Sequence, residues 1–93
     1  MLKGIRRTAQ FKRDFKLALK RGRQEEAFLK VLRLLIAEQP LPPQCRDHQL
    51  LNSGIYKGAR DCHIAPDWIL LYRIETHEQM LELLRTGSHS DLF

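Results

Sequence analysis

The run Trp68-Ile69-Leu70-Leu71-Tyr72 is almost continuously apolar, and it constrains the fold more than any other stretch. A strand with one wet face alternates polar and apolar residues, whereas a strand buried on both faces does not. The run is too short for a membrane span, which takes roughly 20 residues. It therefore predicts a central strand, and the rest of the chain must supply both its sheet neighbours and the layers that cover it.

The neighbours follow from period-two stretches on either side. Ile55–Ile64 and Met80–Thr86 read as flanking strands, with Leu81 and Leu83 on one face of the latter. Thr76-His77-Glu78-Gln79 is the turn between the second and third runs, and Pro66 interrupts the ladder between the first and second. Upstream the period changes. Phe11, Phe15, Ala18 and Leu19 mark a helix capped by Thr8 and stopped near Gly22, and Phe28, Val31, Leu32, Leu35 and Ile36 mark a second from about Gln24 to Ala37. The short link between them makes an antiparallel helix hairpin with one shared apolar side. Leu2–Arg7 reads as an edge strand, and the prolines at 40, 42 and 43 open a loop reaching about Gly54. The order is β-α-α-β-β-β: an α+β domain spanning 1–93, with an N-terminal strand and a two-helix hairpin packed on a mainly antiparallel sheet.

Charge gives the first indication of a partner. The net charge is +5, but residues 1–23 hold nine Lys or Arg against Asp14 alone, and the remainder is acidic on balance. Lys12 and Lys16, with Arg13 beside them, lie on the helix face away from the apolar stripe. Like charges at four-residue spacing repel, so the stripe suits a polyanion such as RNA. No membrane span or secretory leader is legible, which leads us to expect a cytoplasmic protein. Cys45 and Cys62 lack the spacing of a redox pair or of a zinc site and are read as free thiols.

Chemistry concentrates in Gly58–Trp68, which holds Arg60, Asp61, His63, Asp67 and the only tryptophan. Strand alternation puts Asp61 and His63 on one face, about 6–7 Å apart. Two further histidines can join them, His48 from the long loop and His89 from the tail. Imidazole titrates near neutrality, so a pair of histidines can divide the general base and general acid roles of one reaction. Cleavage of RNA through its own 2′-hydroxyl needs such a pair and cationic stabilisation of the phosphorane, and requires no metal. Tight metal-ligand spacing is lacking, and no cofactor is expected. Trp68 serves either as core or as a base-stacking platform, Phe93 either as a stacking ring or as a folded-back end. For Asp61 and Asp67 the alternative to orienting the imidazoles is a surface salt bridge with Arg60 or Lys57.

Three segments together resemble the YafQ branch of the RelE/ParE toxin superfamily: Asp47-His48-Gln49-Leu50; Arg60-Asp61-Cys62-His63-Ile64-Ala65-Pro66-Asp67-Trp68 with Leu70 and Tyr72; and Arg85-Thr86-Gly87-Ser88-His89-Ser90-Asp91-Leu92-Phe93. The resemblance covers essentially the whole chain. It implies a RelE-like fold and a type II toxin that cuts messenger RNA on the 70S ribosome and is restrained by a cognate antitoxin with an acidic inhibitory segment. By motif position it implies His48, His63, Asp67 and His89 as catalytic residues, with Asp61, Trp68, Phe93 and Arg60 in support. Lys12, Arg13 and Lys16 would contact ribosomal RNA. Cys62 and Ala59 depart from the family pattern. Two other functions share this fold or charge: non-catalytic inhibition of DNA gyrase, as in ParE-type toxins, and plain RNA binding. The histidine and aspartate set discriminates, because a binder has no need of it.

Overall fold

The computed structural model describes residues 1–50 and 54–93; positions 51–53 of the expected long loop lie outside the described residues. The elements are β1 (Gly4–Arg7), α1 (Ala9–Lys20), α2 (Glu25–Ile36), β2 (His48–Gln49), β3 (Arg60–Ala65), β4 (Trp68–Glu75), β5 (Met80–Gly87) and α3 (His89–Leu92). Five strands form one sheet in the order β1-β5-β4-β3-β2. All neighbours are antiparallel except β1 and β5, which run parallel. The α+β expectation holds.

β4 is central and covered on both sides, as its composition requires. Trp68, Leu70 and Tyr72 join Phe11, Ala18, Phe28, Val31 and Leu35 in the core beneath the helix hairpin. Phe15 bridges the layers, its ring 4.7 Å from that of Phe28 and 6.4 Å from Trp68. On the opposite face Ile69 and Leu71 pack with Ala59 and Leu84 under a thin cover of Leu50, Tyr56 and Leu92. Each fully buried Leu or Ile contributes roughly 1.5–3 kcal/mol.

α1 begins as expected, with the Thr8 hydroxyl accepting the Phe11 N–H at 2.9 Å, and Gly22 follows it at φ +93°. The helix also completes the sheet. β1 pairs with β5 only from Met80 to Leu83. Beyond that, the Thr8 hydroxyl donates to Leu84 O at 2.8 Å and the Asp14 carboxylate accepts the Thr86 N–H at 3.2 Å. Arg85 donates to both oxygens of Asp14 at 3.0 and 3.1 Å. The one carboxylate of the basic segment thus satisfies an open strand edge.

The structure corrects three expectations. Tyr56 belongs to a 3-10 turn (Gly54–Tyr56), and Gly58 at φ +82° breaks the extended backbone, so the strand expected from Ile55 starts at Arg60. The loop after the prolines contains a 3-10 turn at Pro43–Cys45 and the two-residue strand β2, so His48 comes from a strand. The tail is helical, because Ser88 and Asp91 form a reciprocal capping box. Among the described residues no helix is long and apolar enough to cross a membrane.

Candidate active site

Asp61 is the centre of the arrangement. It lies on the sheet face away from the helix hairpin, paired in register with Leu71 of β4 and with His48 of β2. Its side chain is buried, with Oδ2 4.0 Å from His48 Nε2 and Oδ1 without a hydrogen-bond partner among the described residues. Burial pushes the Asp61 carboxyl pKa up, and the neighbouring histidines, His48 first, pull it part of the way back. His48 is thus the imidazole beside this carboxylate, and His63 shares its strand face by alternation. His63 is opposite Ile69, and the β3–β4 register shifts between it and Ala65, which still pairs with Trp68.

The orientation of His48 follows from its neighbours. Its Nδ1 lies 2.6 Å from the carbonyl oxygen of Arg46. A carbonyl only accepts, so Nδ1 carries the hydrogen, and neutral His48 presents the lone pair of Nε2. That nitrogen faces Asp61, and the side chain is 57% exposed. The preceding residue fixes the strand: Asp47 accepts from the Tyr72 hydroxyl at 2.6 Å and from Arg60 Nε and Nη2 at 3.2 Å each. Burial, then the bond to Asp47, push the Tyr72 phenol pKa up.

His89 is held by Asp67, whose Oδ1 accepts the backbone N–H of His89 at 3.1 Å. The exposed Phe93 ring packs beside the imidazole, with centroids 5.2 Å apart. Ser88 caps the short helix, and Arg21 of the α1 C-cap reaches Asp91 at 3.0 Å. Gly87 sits close against α3, since a Cβ there would stand 3.0 Å from the Asp91 Cβ and the Asp91 side chain would have to give way.

Two of the supporting residues stand back from the histidines. Arg60 lies on the face opposite Asp61, because alternation separates neighbours, and it pairs with Asp47, the residue before His48. Trp68 is only 1% exposed and stacks on Phe15, which leaves its faces closed to a base. Lys12, Arg13 and Lys16 are exposed on α1 in the helix layer, apart from the histidine cluster. Sequence reasoning missed Asp47, Asp14 and Arg23. The first stood beside a chosen histidine; Arg23, which donates to Asp67 O at 2.6 Å, had no signal beyond its charge.

His63 also borders an apolar groove of about 530 Å³ between α2 and β3, lined by Ala27, Val31, Leu34, Pro42 and Ile64. Cys45 and Cys62 are free and buried, and burial raises the pKa of both thiols. Among the described residues no three His, Cys, Asp or Glu side chains gather closely enough to hold a metal ion.

Comparisons with known proteins identify the family. A family model described as "Bacterial toxin of type II toxin-antitoxin system, YafQ" matches residues 3–93. The mRNA interferase toxin YafQ of Escherichia coli BL21-DE3 is 41% identical over 90 residues, covering 96% of this chain and 94% of that protein. In the crystal structure of the E. coli DinJ-YafQ complex the matched chain is 41% identical, with 96% of each chain covered and a TM-score of 0.84. A metal-bound toxin from Helicobacter pylori is likewise 41% identical, with 100% of each chain covered and a TM-score of 0.88. This chain belongs to the YafQ family of bacterial type II toxin–antitoxin toxins.

Proposed function

We propose that the chain is an endoribonuclease that cuts messenger RNA on the 70S ribosome, with its own histidines and no metal, and that a cognate antitoxin restrains it. The relatives named mRNA interferase toxins and the DinJ-YafQ complex support the reaction class and the partner. The observation that carries the chemistry is the pairing of His48 with the buried Asp61 across the β2–β3 ladder, with Asp67 holding the backbone of His89. The excess of positive charge in residues 1–23 suits ribosomal RNA and an acidic antitoxin segment. The site of action is the cytoplasm, where the ribosomes are.

His48 takes the proton of the 2′-hydroxyl on Nε2, the 2′-oxygen attacks the adjacent phosphorus, and the bond from phosphorus to the 5′-oxygen breaks. His89 gives its proton to that leaving oxygen. The products are a 2′,3′-cyclic phosphate and a 5′-hydroxyl, so the proton removed by one imidazole is matched by the proton supplied by the other. Asp61 stabilises the imidazolium that forms on His48, His63 donates to the phosphorane, and Asp67 sets the position of His89.

The test is cleavage of a translated message by purified protein on programmed ribosomes in the presence of EDTA, with end-group analysis. Cyclic phosphate ends are expected, and His89→Ala should abolish cutting while still binding the antitoxin. Intact message, or cutting that disappears on chelation and returns with added metal, overturns the proposed mechanism.

A further inference from the structure

A small polar cleft of about 150 Å³ lies behind the link between Asp67 and His89, bordered by the end of α1, the start of β4 and the turn into α3. Three guanidiniums, those of Arg21, Arg23 and Arg85, line it together with two carboxylates, Asp14 and Asp91. Arg85 and Arg21 are paired with those carboxylates. Arg23 has no carboxylate partner among the described residues. It donates to the Asp67 carbonyl and lies 5.9 Å from the centre of the Trp68 ring. Trp68 lines the same cleft, almost fully buried, and its indole N–H has no acceptor among the described residues. A buried donor without an acceptor is costly, and proteins retain one where a ligand or ion completes it.

We propose that this cleft is a phosphate subsite on the RNA track, in which a backbone phosphate next to the cleaved one accepts from the Arg23 guanidinium and the Trp68 indole N–H. The inference rests on the ribonuclease reading for the identity of the ligand. The cleft is far below the roughly 300–1,000 Å³ of pockets that hold drug-sized organic molecules, so it takes one oxyanion and not a nucleoside. Its charges leave a cation in excess, and Arg23 keeps donors beyond the one spent on Asp67. Ser88, the residue before His89, forms part of its wall, which puts a bound phosphate close to the reacting groups. Trp68 then serves substrate through its N–H while its ring stays in the core.

Because Trp68 is the only tryptophan, its indole gives a single ¹⁵N–¹H resonance. The full chain is titrated with inorganic phosphate, and separately with a 2′-O-methyl RNA trinucleotide that cannot be cleaved, both at constant ionic strength set by sodium chloride. A saturable downfield shift of the indole proton is expected with each probe. Arg23→Ala should weaken the apparent affinity at least tenfold, with partial recovery in Arg23→Lys. Replacing the phosphate next to the cleaved linkage of the trinucleotide with an uncharged methylphosphonate should remove the shift. No saturable shift beyond that of chloride, or one unchanged in Arg23→Ala, overturns the subsite; a response to inorganic phosphate but not to the trinucleotide overturns its assignment to RNA. Phosphate binding is read without turnover. An indole shift in a protein that fails to cut message therefore refutes only the ribonuclease reading, and cutting without a shift refutes only the subsite.

Discussion

His48 and Asp61 are direct register partners across the β2–β3 ladder, with Nε2 of the one 4.0 Å from Oδ2 of the other. The separation is longer than a hydrogen bond, so the pair is coupled through charge. The coupling grows when His48 takes up a proton, the event required of a general base. We expect His48→Ala to reduce single-turnover cleavage on programmed ribosomes about 10²–10⁴-fold, and Asp61→Asn to reduce it less. The double variant should be no slower than His48→Ala, because Asp61 acts through the imidazole. Additive losses would assign Asp61 a separate role.

Asp61 also sets a conflict between activity and stability. Its carboxyl holds a proton more tightly in the folded chain than at its ordinary value of 3.8, because burial outweighs the three imidazoles. The stabilisation that proton brings is complete below that value and is lost as pH rises through the raised folded pKa. Above that point the charged carboxylate, with Oδ1 lacking a partner among the described residues, is destabilising. Asp61→Asn should therefore be more stable than the parent by about 1 kcal/mol at pH 7, with the difference shrinking toward pH 4. Urea unfolding at the two pH values measures this, and a variant less stable at pH 7 would contradict it.

Asp14 has the opposite sign. Burial works against its charge, but hydrogen bonds from Arg85, Gln10 and the Thr86 N–H hold its pKa below 3.8. Its contribution is present above the unfolded value and is lost as pH falls through the depressed folded one. Asp14→Ala strands Arg85 and frees the β5 edge. The expected loss is about 3 kcal/mol at pH 7, and the gap to the parent should narrow below pH 4. Asp14→Ala combined with Arg85→Leu should recover part of the loss, since the stranded charge is then gone. Thermal or urea unfolding decides; a loss below about 0.5 kcal/mol would make the pair an ordinary surface bridge.

What could be read from the sequence depended on whether a signal was local. The Trp68–Tyr72 run specified a strand buried on both faces because no other element explains an unbroken apolar stretch of that length beside turn residues. Thr8 and Gly22 marked α1 because a cap and a stop act within one turn. β2 was not legible: two residues form no pattern, and His48-Gln49 is a strand only because β3 offers an edge. α3 carried no helical period in its four residues, and only the Ser88–Asp91 capping box marks it. Within the site, the shared face of Asp61 and His63 was legible from alternation along one strand, but the approach of His48 to Asp61 was not, since it arises only through the pairing of distant segments. The partner of Arg60 was not legible either, as its pairing with Asp47 joins two distant segments.

The basic stripe of α1 lies in the other layer of the molecule from the histidines, so it should contribute to docking and not to the chemical step. Lys12, Arg13 and Lys16 are exposed and make no ion pair among the described residues; Arg13 only donates to Gln10 at 3.1 Å. Replacing all three with Gln leaves the apolar stripe of the helix intact and removes repulsion between like charges, so stability should change by less than about 0.5 kcal/mol. Ribosome affinity should fall, and its dependence on salt should flatten, each lost phosphate contact removing about 0.7–0.9 from the slope of log K against log salt. The rate of cleavage at saturating ribosome should be preserved. Sedimentation binding between 50 and 200 mM salt, paired with single-turnover cleavage, separates the two effects. An unchanged slope would make the stripe a solvated face, whereas a lost rate at saturation would mean that α1 helps to align the message.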